Sequence, residues 1–114
     1  MNKKDRLKSL LPSLRERNRY VKIKVISEEK ISYSDLESAI FNTLLNFYGE
    51  LNLANMSVWI LKNTYDENEQ TLIIRCNNKS VDKLIAGLGL ISRLGDIRII
   101  LKVLGVSGTI KGLG

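Results

Sequence analysis

The spacing of apolar residues switches along this chain between the period of a strand and that of a helix. The order of these switches constrains the fold more than any other feature. Over residues 19–27, Val21, Ile23 and Val25 alternate with polar neighbours. A period of two is typical of a strand with one buried face. This segment is therefore predicted to be the first strand.

A helix is predicted next, because the apolar residues then recur at helical spacing. Ser34, with Glu37 three residues later, matches a capping box, and Gly49 supplies a stop signal. Residues 51–55 are predicted to be a connector. The apolar positions that define the helix are Leu36, Ile40, Leu44 and Phe47.

The second half of the chain predicts two more strands, a helix and a final strand. Residues 58–62 and 71–76 are β-rich runs separated by a polar stretch, which is typical of a hairpin. Ser80 can cap a second helix that carries apolar residues as far as Ile91 and ends by Gly95. Residues 96–104 alternate again and predict the fourth strand.

This order, β-α-β-β-α-β, predicts an α+β protein with a ferredoxin-like or RRM-like sandwich. In that arrangement a four-stranded antiparallel sheet has both helices on one face. We expect a basic N-terminal arm over residues 1–18, the domain over 19–106 and a C-terminal tail over 107–114. The face without helices is expected to be rich in cations, with Tyr20, Lys22, Lys24, Arg75, Arg98 and Lys102, and with Trp59 and Ile100 beside them.

The positive charge is concentrated at one end of the sequence. The 114 residues carry a net charge of +6. Residues 1–24 contain nine basic and two acidic side chains, a net +7, and the remainder sums to −1. Such a segment suits a polyanion, because Lys and Arg that contact phosphates release condensed counterions. Membrane-surface binding is disfavoured, since no aromatic residue precedes Tyr20 and no wide apolar face is present.

The residue types argue against catalysis or metal binding by this chain. It contains no histidine, and its one cysteine, Cys76, cannot hold zinc alone. Cys76 alternates with core positions and is expected to behave as a small apolar residue. A lone thiol and the lack of an apolar stretch of about 18 residues predict a cytoplasmic protein without a membrane span.

The predicted third strand differs from that of an RNA-binding RRM. An RRM stacks bases on aromatic side chains of this strand. Residues 71–76, Thr-Leu-Ile-Ile-Arg-Cys, contain no aromatic residue. The open face is therefore expected to recognise phosphates and shape, or to meet a protein partner that covers Trp59.

Four short blocks, in order along nearly the whole chain, resemble the archaeal ribonuclease P protein component 2 family. The first begins Leu-Pro-Ser-Leu-Arg-Glu-Arg at residue 11 and leads into Arg-Tyr-Val at residue 19. The second is Phe-Tyr-Gly-Glu at residues 47–50 before Leu-Ala at 53–54. The others are Ile-Arg-Cys at 74–76 and Val-Ser-Gly-Thr-Ile-Lys at 106–111.

The resemblance implies a non-catalytic subunit of a ribonucleoprotein endoribonuclease. In that family the RNA removes the 5′ leader of precursor tRNA in a Mg²⁺-dependent reaction, and the protein binds no cofactor. The family pairs with a TIM-barrel subunit, component 3, commonly as a heterotetramer, and binds the catalytic domain of the RNA. Arg15, Arg17 and Arg19 match a family block and are the first candidates for RNA contacts. Lys22, Lys24 and Lys111 follow on charge and position.

Two other functions are compatible with the predicted fold. A ferredoxin-like regulatory domain would bind a small molecule at a dimer interface or loop, but it leaves the +7 segment unexplained. A purely structural assembly subunit would use its basic residues for solubility alone. Replacing Arg15, Arg17 and Arg19 by Ala would then leave RNA affinity and its salt dependence unchanged.

Overall fold

The computed structural model describes residues 17–113 of the chain. Most of the predicted basic arm, including Arg15, lies outside the described residues. The elements follow in the order β1 (Asn18–Ser27), α1 (Tyr33–Met56), β2 (Trp59–Asp66), β3 (Thr71–Asn77), α2 (Val81–Leu88), β4 (Arg93–Leu94), β5 (Ile97–Ser107) and a short 3-10 turn (Lys111–Leu113).

The strands form one antiparallel sheet in the order β2-β3-β1-β5-β4. The α+β class is confirmed, but the prediction of four strands is wrong, because the described chain has five. The sequence pattern carried the second helix toward Gly95, whereas α2 ends at Leu88. Arg93 and Leu94, which fell within the predicted helix, instead form β4. The chain turns at Gly95 (φ 64°), and β4 pairs with the start of β5.

The core lies between the helices and one face of the sheet. The predicted alternation of β1 is confirmed, since Val21, Ile23 and Val25 are buried. Both helices contribute apolar side chains to the same cluster. The largest of these fully buried helical side chains are Leu36, Ile40, Leu44, Met56, Leu84 and Leu88.

Helix α1 differs from its predicted form at both ends. Its N-cap is Ser32 rather than Ser34, and the Ser32 hydroxyl accepts a hydrogen bond from the Asp35 N–H at 3.2 Å. Gly49 does interrupt the helix, with φ 80° and ψ 167°, but the helix resumes and continues to Met56. The predicted connector at 51–55 is therefore helical, and burial of Leu53 and Met56 accounts for its attachment to the core.

The two helices approach each other closely at Gly87. A Cβ atom there would lie 2.4 Å from Cδ2 of Leu44, so only glycine allows this contact as it stands. The Tyr48 hydroxyl donates a hydrogen bond to the Lys83 carbonyl at 2.6 Å, which also joins the helices. Neither helix, among residues 17–113, has the length and apolar character needed to cross a bilayer.

A network around Gln70 fixes the end of β1. The Ile31 N–H donates to Gln70 Oε1 at 2.9 Å, and Gln70 Nε2 donates to the Val25 carbonyl at 3.3 Å. The Tyr65 hydroxyl donates to the Ile31 carbonyl. These bonds join the β1–α1 loop to the β2–β3 hairpin, so the strands that carry the open face are held in register.

Candidate nucleic-acid interface

Tyr20, Lys22 and Lys24 of β1 lie on the sheet face opposite the core. They alternate with the buried valines and isoleucine, and each is half-buried. Their partners across β3 are Arg75, Ile73 and Thr71, and residues directly paired across strands point to the same face. The predicted open face is thus present, with cations on its central strand.

Two predicted RNA contacts, Arg17 and Arg19, lie at the start of β1. The Arg17 carbonyl accepts a hydrogen bond from the Asn78 N–H at 2.7 Å, which anchors the chain where it enters the sheet. Arg19 Nη1 donates to the Asn18 carbonyl at 3.0 Å in an exposed position. Both arginines therefore lie at one end of the sheet, with Arg17 exposed and Arg19 partly exposed.

The C-terminal turn folds back beside this same end. Lys22 pairs with Gly105 of β5, and both line a shallow groove of about 340 Å³ together with Gly112. Lys111 is the exposed first residue of the turn that contains Gly112. Two predicted contacts far apart in sequence, Lys22 and Lys111, thus belong to neighbouring elements.

Lys24 differs from the other predicted contacts, because it already has a partner. Its Nζ lies 3.6 Å from Oε2 of Glu69 in the hairpin, and the side chains of Lys24 and Glu69 are 40% and 70% exposed. An ion pair between exposed side chains contributes at most about 1 kcal/mol and is screened by salt. Glu69 therefore weakens the local positive potential without removing Lys24 from the surface.

The open face also carries cations outside the candidate site set. Lys102 pairs with Lys24, and Arg75 pairs with Tyr20. Arg93 was not among the predicted cations of this face, because residue 93 fell inside the helix that was predicted to continue toward Gly95. It pairs directly with Arg98 across the β4–β5 hairpin.

The Arg93–Arg98 pair is electrostatically unfavourable in the isolated protein. Like charges directly opposite each other on two strands repel, and within residues 17–113 neither arginine forms an ion pair with a carboxylate. Both arginines line an open cavity of about 580 Å³, together with Ser27 and Ser92. Glu28 also borders this cavity. The arrangement favours an anion that would relieve the repulsion.

Trp59 and Arg75 form a second feature at the opposite edge of the sheet. The Arg75 guanidinium lies over the Trp59 ring, 5.8 Å from its centroid. Trp59 is 61% exposed on the edge strand β2. It also borders a groove of about 620 Å³ between β2 and α1 that includes Phe41.

Cys76 lies on the opposite face of β3 and is fully buried. Burial raises the pKa of its thiol to about 11, so the thiol is neutral near pH 7. This agrees with the predicted packing role. Among residues 17–113, no three or more carboxylate or thiol side chains are grouped so that they would hold a metal ion.

Fold and surface together define a small α+β protein with one face of its sheet covered by helices and the other open and basic. The sequence model of the Rpp14/Pop5 family matches residues 19–113. Ribonuclease P protein component 2 of Pyrococcus furiosus is 44% identical over 109 residues, which cover 96% of this chain and 89% of that protein. The chain belongs to the Rpp14/Pop5 family.

Two further comparisons agree with this assignment. Ribonuclease P protein component 2 of Methanobrevibacter smithii is 35% identical over 111 residues, covering 93% of this chain and 92% of the relative. A chain in the cryo-EM structure of yeast ribonuclease MRP matches with a TM-score of 0.64 and 16% identity, over 83% of this chain and 76% of that chain. At that identity the structural match shows a shared fold.

Proposed function

We propose that this chain is the component 2 subunit of ribonuclease P and that it binds the catalytic domain of the ribonuclease P RNA. The observation that carries the proposal is near full-length similarity to proteins named ribonuclease P protein component 2. The basic open face supplies the physical means of binding. The isolated chain is not catalytic, and it acts as part of a ribonucleoprotein endoribonuclease that removes the 5′ leader of precursor tRNA.

The protein assists the RNA by neutralising phosphates. A folded RNA is opposed by repulsion between its own phosphates, and each Lys or Arg contact releases condensed counterions. Arg17, Arg19 and Lys22 lie at the end of the sheet where the C-terminal turn adds Lys111. Arg15 precedes this group in the sequence. We expect the RNA to require Mg²⁺ and the protein to lower the concentration needed.

Strand order supports the finer assignment of a ferredoxin-like fold. Without the two-residue strand β4, the order is β2-β3-β1-β5, with α1 and α2 packed against the same core. This is the order expected of a split βαβ unit. In this proposal β4 is a short addition at the edge of β5.

We further propose a TIM-barrel partner, component 3, in a heterotetramer, with precursor tRNA bound through the complex and a cytoplasmic location. Several large apolar side chains are exposed on the helix side, among them Phe41, Phe47 and Leu51 of α1. Covering such side chains stabilises a complex by about 25 cal/mol per Å² of apolar area removed from water, before the costs of association. They support a protein partner in addition to RNA.

Reconstitution tests the proposal. The chain with its barrel partner is expected to stimulate cleavage of precursor tRNA by the RNA at low Mg²⁺, whereas the protein alone cleaves nothing. Cleavage without the RNA would contradict the assignment.

A charge comparison tests the RNA contacts directly. Lys22→Ala, on the open face, should weaken binding to the RNA and reduce the salt slope by about 0.7 to 0.9, the change for one lost phosphate contact. Lys83→Ala is the matched control, because Lys83 is an exposed cation of α2 on the helix side of the sheet. Equal salt slopes for both variants would favour a purely structural subunit.

A further inference from the structure

Three residues on adjacent strands form a row across the open face. Tyr20 of β1 pairs with Arg75 of β3, and Arg75 pairs with Trp59 of β2. Paired residues in neighbouring strands have Cβ atoms about 4.5 to 5.5 Å apart. The row therefore places an aromatic residue on the strand on each side of Arg75, although β3 itself has no aromatic residue.

The Trp59 indole is unusually open for such a large apolar side chain. It is 61% exposed, and β2 is an edge strand, so no further strand of the described sheet lies beyond it. The Arg75 guanidinium lies 5.8 Å from the ring centroid, and most of the side chain still faces solvent. An exposed indole beside a cation suits a ligand that combines a flat ring with a negative charge.

We propose that Trp59 is a stacking platform for one base of a single-stranded RNA segment, with Arg75 binding a phosphate next to that base. Proteins that bind single strands combine a basic surface with aromatic side chains on which bases stack. Both parts are present here, since Lys22, Lys24 and Lys102 continue the positive face beyond Tyr20. Stacking of this kind tolerates different bases, because every base has a π-face.

This inference rests on the proposed RNA-binding function and adds a contact of a different kind. Arginine and lysine contacts recognise the charge of the backbone, whereas the indole recognises the presence of a base. The site would therefore distinguish an unpaired segment from a duplex, whose bases are already stacked on one another.

The sequence offers a direct probe, because Trp59 is the only tryptophan. The full chain should be titrated with a short unstructured oligoribonucleotide and with an abasic strand of equal length and charge. We expect the base-bearing strand to quench the tryptophan emission and to bind more tightly. The abasic strand should bind through charge alone and leave the emission nearly unchanged.

Single substitutions test whether the Trp59 side chain is responsible for the tighter binding of the base-bearing strand. Trp59→Ala should weaken binding of the base-bearing strand by about 5- to 150-fold, the range for one lost base–aromatic stack, and leave the abasic strand unaffected. Trp59→Phe should give an intermediate loss of affinity. Because it keeps an aromatic ring, it distinguishes the loss of stacking from a folding defect in Trp59→Ala. Leu90→Ala is the control, since Leu90 is also a large, mostly exposed apolar side chain (51%) but follows α2 and belongs to neither proposed contact surface.

Arg75→Gln separates the cation from the ring. It should weaken both strands by the same factor and reduce the salt slope by about 0.7, as expected for one lost contact with a single strand. A loss confined to the base-bearing strand would show that Arg75 acts only by orienting the indole, and it would overturn the assigned phosphate contact.

Equal binding of both strands with unchanged emission would overturn the stacking proposal while leaving charge-driven RNA binding intact. If Trp59→Ala instead weakens binding of the barrel partner and leaves RNA binding unchanged, the indole is a protein contact and the proposal is wrong. Failure of the proposed function looks different, because neither strand nor the structured RNA would then bind with a salt dependence.

Discussion

The two faces of the sheet are built from alternate residues of the same strands and yet follow opposite rules. On the helix side, Val21, Ile23 and Val25 of β1 are buried and tightly packed. On the other side, Lys22 and Lys24 keep their charges at the surface. One face thus stabilises the fold and the other is free to accumulate like charges. The comparison teaches that substitutions one residue apart can alter either the stability of the fold or the charge of the surface proposed to bind RNA.

The largest expected difference comes from matched truncations on the two faces. Ile23→Ala should lower the free energy of unfolding by about 2 to 5 kcal/mol, because it leaves a cavity in a fully buried site. Ile100→Ala, at a position 62% exposed, should change it by no more than about 0.5 kcal/mol. Urea denaturation measures both. Comparable losses would mean that the open face is also part of a core.

The pH dependence of stability tests how completely the helix side excludes water from Cys76. Burial raises the thiol pKa to about 11, so the unfolded chain loses this proton first as the pH rises. The free energy of unfolding should therefore be unaffected below pH 8 and decline between about pH 9 and 11, by up to about 2 to 3 kcal/mol. Denaturation at a series of pH values measures this decline, and Cys76→Ala should lack that component. An identical profile for the variant would show that the thiol is not shielded.

Two glycines give a smaller contrast. Gly87→Ala should cost about 1 to 3 kcal/mol, because the new Cβ would lie 2.4 Å from a methyl group of buried Leu44. Gly105→Ala, in β5 opposite Lys22, should be nearly neutral, since its Cβ would meet Leu113 at 3.4 Å, close to ordinary contact distance. Thermal unfolding distinguishes the two. A neutral Gly87→Ala would show that Leu44 repacks freely.

The smallest expected change in stability is an increase, and the same substitution should lower the affinity for RNA. Arg98→Glu places a carboxylate directly opposite Arg93 and should stabilise the protein by about 0.2 to 1 kcal/mol. The same change should weaken RNA binding, because it removes one cation and adds an anion to the open face. Denaturation and RNA titration of this variant should therefore move in opposite directions. A variant that is both less stable and unchanged in RNA affinity would contradict the view of this pair as a binding feature.

Local periodicity was sufficient to predict which residues of β1 face the core. The alternation at Val21, Ile23 and Val25 depends only on neighbouring residues, so it can be recognised in the sequence. The order of strand and helix periods along the chain predicted the α+β class in the same way. Strand β4 was missed because two residues carry no detectable period, and only their pairing with β5 makes them a strand. Arg93 was missed for the same reason.

Contacts between residues far apart in the sequence could not be predicted from the local pattern. Lys22 lies near the turn that contains Lys111, because β1 pairs with β5 and the C-terminal segment folds back beside it. The Tyr20–Arg75–Trp59 row likewise depends on the register of three strands. Arg15 lies outside the described residues, and its RNA contact stays a prediction, as do those of the other candidate residues.

Gly49 has a consequence for how sequence variation in this protein should be interpreted. Nothing lies within 4 Å of the position that a Cβ atom would occupy there, so solvent exposure alone would mark the site as freely replaceable. The backbone at φ 80° and ψ 167° is almost exclusive to glycine, and any other residue incurs strain of about 1 to 3 kcal/mol. A saturation-mutagenesis survey should therefore find intolerance at an uncrowded surface position, which a filter based on accessibility would discard.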